Sequence, residues 1–264
     1  MKKDPYHLTY ENGAYRQDEL IKVIRGALPH FALTPEEYER LKMDDDVDEM
    51  YRLAFSRISK AKKDKKGDYG ELLLFLILKT FYGADRLVTK VKLRSSVKDQ
   101  IKGFDCAHFV VNESDEVELW LGEVKFYKSF SSALDDVVEE IERHTQGEYL
   151  KDEFSILCPN IEVNGELPVS EKIIEMLDGT VSLDDVRIVI PALITYETAL
   201  FKGFSRLDEA FRAGMLKQVT DKFNLIDRRS ITKKLNIEVF FILLPLADVG
   251  SIKDKLEAME AVFV

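Results

Sequence analysis

The sequence predicts an α/β fold in which helices flank a mixed sheet. Three patterns between residues 69 and 158 predict it: a leucine-rich helix, alternating segments typical of strands, and an amphipathic helix followed by one more strand. The predicted order is helix, three strands, helix, strand. Because the last helix crosses over between strands, the final strand is expected to run parallel to a neighbour.

Length and composition limit the function classes. The chain has 264 residues, 45% of them hydrophobic, so it can bury a full core as a single domain. Its formal net charge of -10 argues against a freestanding tight nucleic-acid binder, which draws its affinity largely from Lys and Arg. The start of the chain has no hydrophobic signal region, and the longest apolar run, Leu72 to Leu78, is too short to span a bilayer. We therefore expect a cytoplasmic protein with no membrane part.

Charged residues and cysteines add little specific chemistry. Basic runs lie at 60–66 and 86–102, and each is either a solvated face or a contact with phosphate. Cys106 and Cys158 lack metal-ligand spacing and are expected to be small buried residues. The four histidines are scattered and are expected at the surface or in the core rather than in catalysis. They are His7, His30, His108 and His144.

Residues 1–66 are predicted to form a helical extension of the core at 67–158. Asp18 is expected to cap one helix, and a second apolar stripe begins at Met50. The core opens with a buried helix that follows Asp68 and stops at Gly83. Glu71 in its first turn has two interpretations: it completes a capping box with Asp68, or it delivers a carboxylate to a functional site.

The segment 102–126 predicts a β-hairpin after a first strand at 87–94. Its centre, 112–116, is polar and turn-prone, and symmetry about Ser114 places Asp105 opposite Glu123. Strand alternation then puts Glu123 and Lys125 on one face with Leu119 and Leu121.

Two opposed carboxylates need compensation. Their Cβ atoms would lie about 5 Å apart, and two like charges at that distance repel by roughly 3 kcal/mol at an effective dielectric of about 20. Either Lys125 neutralises the pair, or one carboxylate holds a proton, or a divalent cation sits between them. A solvated, purely structural Glu-x-Lys pair is the alternative to a functional one.

The remaining elements complete the predicted α/β pattern. Residues 159–264 are predicted to extend the core with strands and helices. After the hairpin we expect a helix capped by Ser131 or Ser132, a strand at 154–158, a helix at 170–177, a strand at 186–195, a helix capped by Ser205, a strand at 237–244 and a helix from Ile252.

Three motifs in this order resemble the PD-(D/E)xK nuclease superfamily, which has a restriction-endonuclease-like core. They are Gly70-Glu71 on the helix, Gly103-Phe104-Asp105 on one strand and Glu123-Val124-Lys125 on the next. More narrowly, the leucine-rich helix after Gly-Glu and the Trp-Leu-Gly-Glu-Val-Lys strand resemble the nuclease subunit of the Hachiman anti-phage defence system. One departure is that Gln146 and Tyr149 are one position too close for the Gln-x-x-x-Tyr motif of some relatives, so no role is assigned to them.

The resemblance implies a chemistry. Asp105 and Glu123 would hold Mg²⁺, which Mn²⁺ is expected to replace, with help from the Val124 carbonyl and from Glu71. Lys125 would orient the attacking water and offset charge on the phosphate. The implied substrate is DNA and the implied partner is a superfamily-two helicase, with no small-molecule cofactor. Two alternatives are a non-catalytic scaffold that binds a helicase or DNA, and a repair or restriction nuclease of the same fold.

Overall fold

The structure is a computed structural model that describes residues 1–58, 67–89, 104–112, 114, 116–146, 149–150, 186–229, 231 and 236–263. Its strands are β1 (Lys3–Pro5), β2 (Tyr10–Glu11), β3 (Ala14–Tyr15), β4 (Asp85–Thr89), β5 (Cys106–Val111), β6 (Val117–Phe126), β7 (Arg187–Glu197) and β8 (Ile237–Leu246). Its α-helices are α1 (Gln17–Ala32), α2 (Pro35–Met43), α3 (Val47–Ser56), α4 (Asp68–Tyr82), α5 (Phe130–His144), α6 (Glu209–Asp227) and α7 (Val249–Phe263).

The larger described sheet is mixed, as the sequence predicts. Its strand order is β1-β8-β7-β6-β5-β4, with antiparallel pairs β4–β5 and β5–β6 and parallel pairs from β6 to β1. The α/β class and the succession of helix, three strands and helix are confirmed. The predicted irregular start misses β1, which pairs with β8 at the sheet edge. Three residues are too few for a periodic signal, so tertiary pairing decides this strand.

Helix α4 lies on one face of the sheet and is buried almost all round. Its leucines pack with Trp120, Val124 and Phe126 of β6 and with helices α1, α3 and α7. Gly83 ends the helix in the left-handed region, with φ of 62°, as predicted. The helix therefore stands directly behind the strand that carries Glu123 and Lys125.

Helix α5 covers the opposite face. Leu134, Val137 and Ile141 pack against Leu119 and Leu121 of β6, which confirms the predicted apolar stripe. The predicted cap is wrong: Ser129 is the N-cap, and its hydroxyl accepts from the Ser132 N–H at 3.3 Å. Both layers fix β6 between them.

Two other predicted caps are also wrong, for local reasons. Helix α1 begins at Gln17, so Asp18 lies in its first turn and pairs with Lys255 of α7. Helix α6 is capped by Asp208 rather than Ser205, because the Asp208 carboxylate accepts from the Phe211 N–H at 2.9 Å.

Several predictions fall outside the described residues. These are the strand at 154–158, with Cys158, the helix at 170–177, the basic run at 60–66 and nearly all of the run at 86–102. Where the chain is described, the strand at 186–195, the strand at 237–244 and the last helix are confirmed, with ends shifted by up to three residues.

Candidate active site

Strand β6 delivers Glu123 and Lys125 to the face covered by α5. Leu119 and Leu121 lie on that face, whereas Trp120, Val124 and Phe126 lie on the face of α4. This is the predicted alternation, and it follows from the period of two along a strand. A charged pair therefore enters a surface that is otherwise apolar.

Asp105 immediately precedes β5 and is joined to β6 by two hydrogen bonds. Its N–H donates to the Gly122 carbonyl at 2.8 Å, and its Oδ2 accepts from the Val124 N–H at 2.8 Å. The ladder is symmetric about Ser114, as predicted, and ends where Cys106 pairs with Gly122, one residue short of Asp105 and Glu123. Only 9% of Asp105 is exposed. Its carboxylate is therefore fixed by the neighbouring strand.

The close approach of these strands depends on Gly122. A Cβ at this position would lie 2.5 Å from Cys106 Sγ and 2.8 Å from Leu74 Cδ2. Only a glycine therefore lets β5 and α4 pack this tightly beside the carboxylates.

Lys125 is held between two carboxylates. Its Nζ donates to Glu123 Oε1 at 3.1 Å and to Glu140 Oε2 at 2.5 Å. Burial by itself would lower the pKa of Lys125, but the charges on Glu123, Glu140 and Asp105 outweigh it and raise the pKa above its ordinary value. Lys125 is therefore a permanent cation at neutral pH.

Glu123 has the least favourable environment for an ionised carboxylate in this group. It is 1% exposed, and its pKa lies well above the ordinary value because burial, and then the nearby charge on Asp105, disfavour ionisation. Its Oε2 accepts no hydrogen bond from the described residues and lies 3.8 Å from the Nδ1 of His144. The site holds more negative charge than Lys125 neutralises.

Helix α5 supplies two residues that sequence reasoning did not assign to the site. Glu140 bonds to Lys125, and its pKa falls to about 2, because the hydrogen bonds from Glu123 and Lys125 outweigh the opposing effect of burial. His144 is buried beside Glu123, with its ring stacked on Tyr149 at 4.5 Å. Helical spacing could have indicated both residues. His144 continues the buried face formed by Val137 and Ile141, and Glu140, four residues earlier, lies next to His144 on the helix surface.

A sequence model of the HamA family matches residues 2–259, which is nearly the whole chain. The chain belongs to the HamA family. This membership indicates a component of the Hachiman anti-phage defence system, and such a system implies a partner. No curated protein matches the chain. Within the described ranges, no helix combines the length and apolar character needed to cross a bilayer.

Glu71 of this HamA protein lies in the first turn of α4 and is 5% exposed. The capping-box interpretation is wrong, because the N-cap is Gly67 and no side chain makes a capping hydrogen bond there. Gly70 lets the start of α4 approach β6: a Cβ there would lie 3.1 Å from Phe126 Cβ and 3.3 Å from Val124 Cγ2. Glu71 thus comes from the side of the sheet opposite α5.

The structure brings together Asp105, Glu123 and Lys125. Across the residues that are described, no group of three His, Cys, Asp or Glu side chains is arranged to hold a metal ion. Asp105 and Glu123 could share one cation as a pair. The metal-binding roles of Glu71 and of the Val124 carbonyl stay predictions.

Proposed function

We propose that this HamA chain is a Mg²⁺-dependent DNA nuclease that acts as an effector of Hachiman defence. The observation that carries the proposal is the meeting of Asp105, Glu123 and Lys125 beside β6, where Asp105 accepts from the Val124 N–H and Lys125 donates to Glu123. Phosphodiester hydrolysis needs an activated water and a stabilised pentavalent phosphate, and carboxylates with an ammonium are suited to both tasks.

The chemistry of the carboxylates fits a hard divalent cation. Burial and the charge on Asp105 both oppose ionisation of Glu123, so positive charge between the two carboxylates would relieve a real electrostatic cost. Oxygen ligands of this kind are those that Mg²⁺ prefers. Bound Mg²⁺ would polarise a phosphoryl oxygen and lower the pKa of a bound water.

Lys125 has a separate task on the same face. Its charged Nζ lies 3.1 Å from Glu123, so a phosphate brought to the two carboxylates would also lie near this ammonium. There the cation would orient the attacking water and offset the negative charge that grows on the phosphate.

Family membership and charge together support a helicase of superfamily two as partner. The chain carries a net charge of -10, which disfavours DNA binding by the chain alone. A partner that binds DNA would compensate for the weak DNA binding of the chain alone. The activity is therefore expected to be strongest in the complex.

The cleavage test uses the full chain, alone and with its helicase subunit, on supercoiled plasmid with Mg²⁺ or with EDTA. We expect Mg²⁺-dependent cleavage that falls at least about 100-fold in Glu123→Gln and Lys125→Met, the range typical of lost electrostatic stabilisation. Glu139→Gln, an exposed carboxylate on α5, is the matched control and should cut like the parent. Equal cutting by all variants would remove these residues from the active site.

Metal binding has its own readout in thermal unfolding. A ligand that binds only the folded state at about 100 times its Kd stabilises that state by about 2.7 kcal/mol. Mg²⁺ should therefore raise the Tm of the parent and of Glu139→Gln, but raise it much less in Glu123→Gln. An equal shift in all three proteins would place the cation elsewhere.

A second candidate is a non-catalytic scaffold that binds a helicase or DNA. It is favoured by the two carboxylates already bonded to Lys125 and by the lack of a three-ligand group among the described residues. It predicts no effect of Mg²⁺ on Tm. It also predicts full defence in cells that carry Asp105→Asn or Glu123→Gln.

A further inference from the structure

Glu140 reaches the candidate site from a rigid support. Helix α5 is anchored on β6 through Leu134, Val137 and Ile141, which are buried. From this helix the Glu140 carboxylate meets the Lys125 ammonium at 2.5 Å, which is shorter than the 3.1 Å between Lys125 and Glu123. The other Glu140 oxygen lies 3.7 Å from the guanidinium of Arg143. The helix thus holds one end of the Lys125 contact in place.

Lys125 needs such a contact because its first partner has another task. A lysine side chain is a flexible four-carbon stem that carries a compact charge. If Glu123 shares its carboxylate with a cation, its hold on the ammonium weakens, and Glu140 is the remaining described anion bonded to it. The ammonium has three N–H groups, and the described residues take two of them. One N–H is then left to point at water or phosphate.

We propose that Glu140 is a positioning residue that holds the Lys125 ammonium in its productive place while Glu123 serves the metal. This inference rests on the proposed nuclease function. In this scheme Glu140 touches neither substrate nor metal and acts through its contact with Lys125. The chemistry at the phosphate therefore depends on a carboxylate that belongs to α5 and lies outside the three sequence motifs.

The first test follows the position of the ammonium and needs no nuclease activity. The folded full chain is acetylated briefly, and the modification of Lys125 is quantified by mass spectrometry, with Lys128 as internal reference. The Lys125 side chain is 12% exposed and that of Lys128 is 65% exposed. We expect Lys125 to react several-fold faster in Glu140→Gln than in the parent or in Glu139→Gln. Equal Lys125 labelling in all three proteins overturns the proposal.

The second test measures cleavage by the chain with its partner. Loss of a residue that holds a catalytic group in place costs about 10- to 100-fold in rate. We expect Glu140→Gln to lower kcat by that factor and to leave the KM for DNA and the Mg²⁺ half-saturation near parental values. A change in KM alone, or parental kinetics, overturns the proposal.

The two tests separate this inference from the proposed function. A parent that never cuts DNA, combined with faster labelling of Lys125 in Glu140→Gln, rejects the nuclease but supports the hold of Glu140 on Lys125. A parent that cuts, combined with a Glu140→Gln variant that behaves like Glu139→Gln, keeps the nuclease and rejects the role of Glu140.

Discussion

Two ion-paired clusters in this chain both combine a buried or half-buried Glu with a basic residue, but the pKa of that Glu shifts in opposite directions. Between α2 and α3, Arg57 donates to both oxygens of Glu37, at 2.5 and 2.8 Å, and Glu37 also closes a capping box with Thr34. On β6, Lys125 is shared between Glu123 and Glu140, while Asp105 adds a further negative charge. Glu37 is paired with one guanidinium, whereas Glu123 and Glu140 share a single ammonium.

Their pKa values show the consequence. Burial opposes ionisation of both carboxyls, but at Glu37 the Arg57 guanidinium outweighs it and the pKa is lowered. At Glu123 burial and Asp105 act together, and the pKa is raised well above its ordinary value. The first cluster stabilises the fold. The second stores an electrostatic cost that folding does not require, which is typical of sites kept for function.

The strongest way to break this comparison is to make the same substitution in both clusters. Glu37→Gln removes a charge that is fully paired, so the free energy of unfolding should fall by about 1–2 kcal/mol. Glu123→Gln removes excess negative charge, and Lys125 keeps Glu140, so the free energy of unfolding should stay equal or rise. Urea unfolding at neutral pH measures both. A large loss in Glu123→Gln would make this cluster a structural one as well.

Local patterning was enough to predict the hairpin and its register. The alternation in 117–126 and the turn around Ser114 determine which side chains face α5, and the paired residues are symmetric about Ser114 as expected. Caps were predicted less well: Asp18, Asp68 and Ser205 each lie near a helix start, but other residues occupy the N-cap. Several nearby polar residues could each serve as the N-cap, and the backbone conformation before the helix determines which of them does.

The site was only partly predictable because one of its carboxylates, that of Glu140, comes from helix α5. Glu123 and Lys125 are two residues apart in the sequence, whereas Glu140 reaches them only after α5 packs across β6. The strand β1 was missed for the same kind of reason, since its pairing with β8 is a contact between the two ends of the chain. Strand β1 is too short to give a periodic signal, whereas the helical pattern of α5 gave a signal but could not show which part of β6 the helix would meet.

A pair of helical glycines extends the comparison to backbone packing. A Cβ at Gly26 of α1 would meet nothing within 4 Å, whereas one at Gly70 of α4 would press on Phe126 and Val124. Gly26→Ala should therefore raise the free energy of unfolding by about 0.5–1 kcal/mol, the helix-propensity gain over glycine. Gly70→Ala should lower it by about 1 kcal/mol, because overpacking opposes that gain. Thermal unfolding of both variants measures this difference. Equal shifts in Tm would mean that α4 can move away from β6 at little cost in stability.

The smallest expected effect is the pH dependence of the two carboxyls, whose signs are opposite. The pKa of Glu37 is lowered on folding, so its contribution to stability is present above its ordinary pKa of 4.5 and is lost as the pH falls below that value. The pKa of Glu123 is raised, so its contribution is present below 4.5 and is lost as the pH rises through the folded value. Urea unfolding between about pH 3 and pH 8 should show that Glu37→Gln is less stable than the parent at neutral pH and equally stable at acid pH. The free energy of unfolding of Glu123→Gln should rise relative to that of the parent as the pH approaches neutrality. If the difference from the parent changed with pH in the same way for both variants, the two clusters would be electrostatically alike.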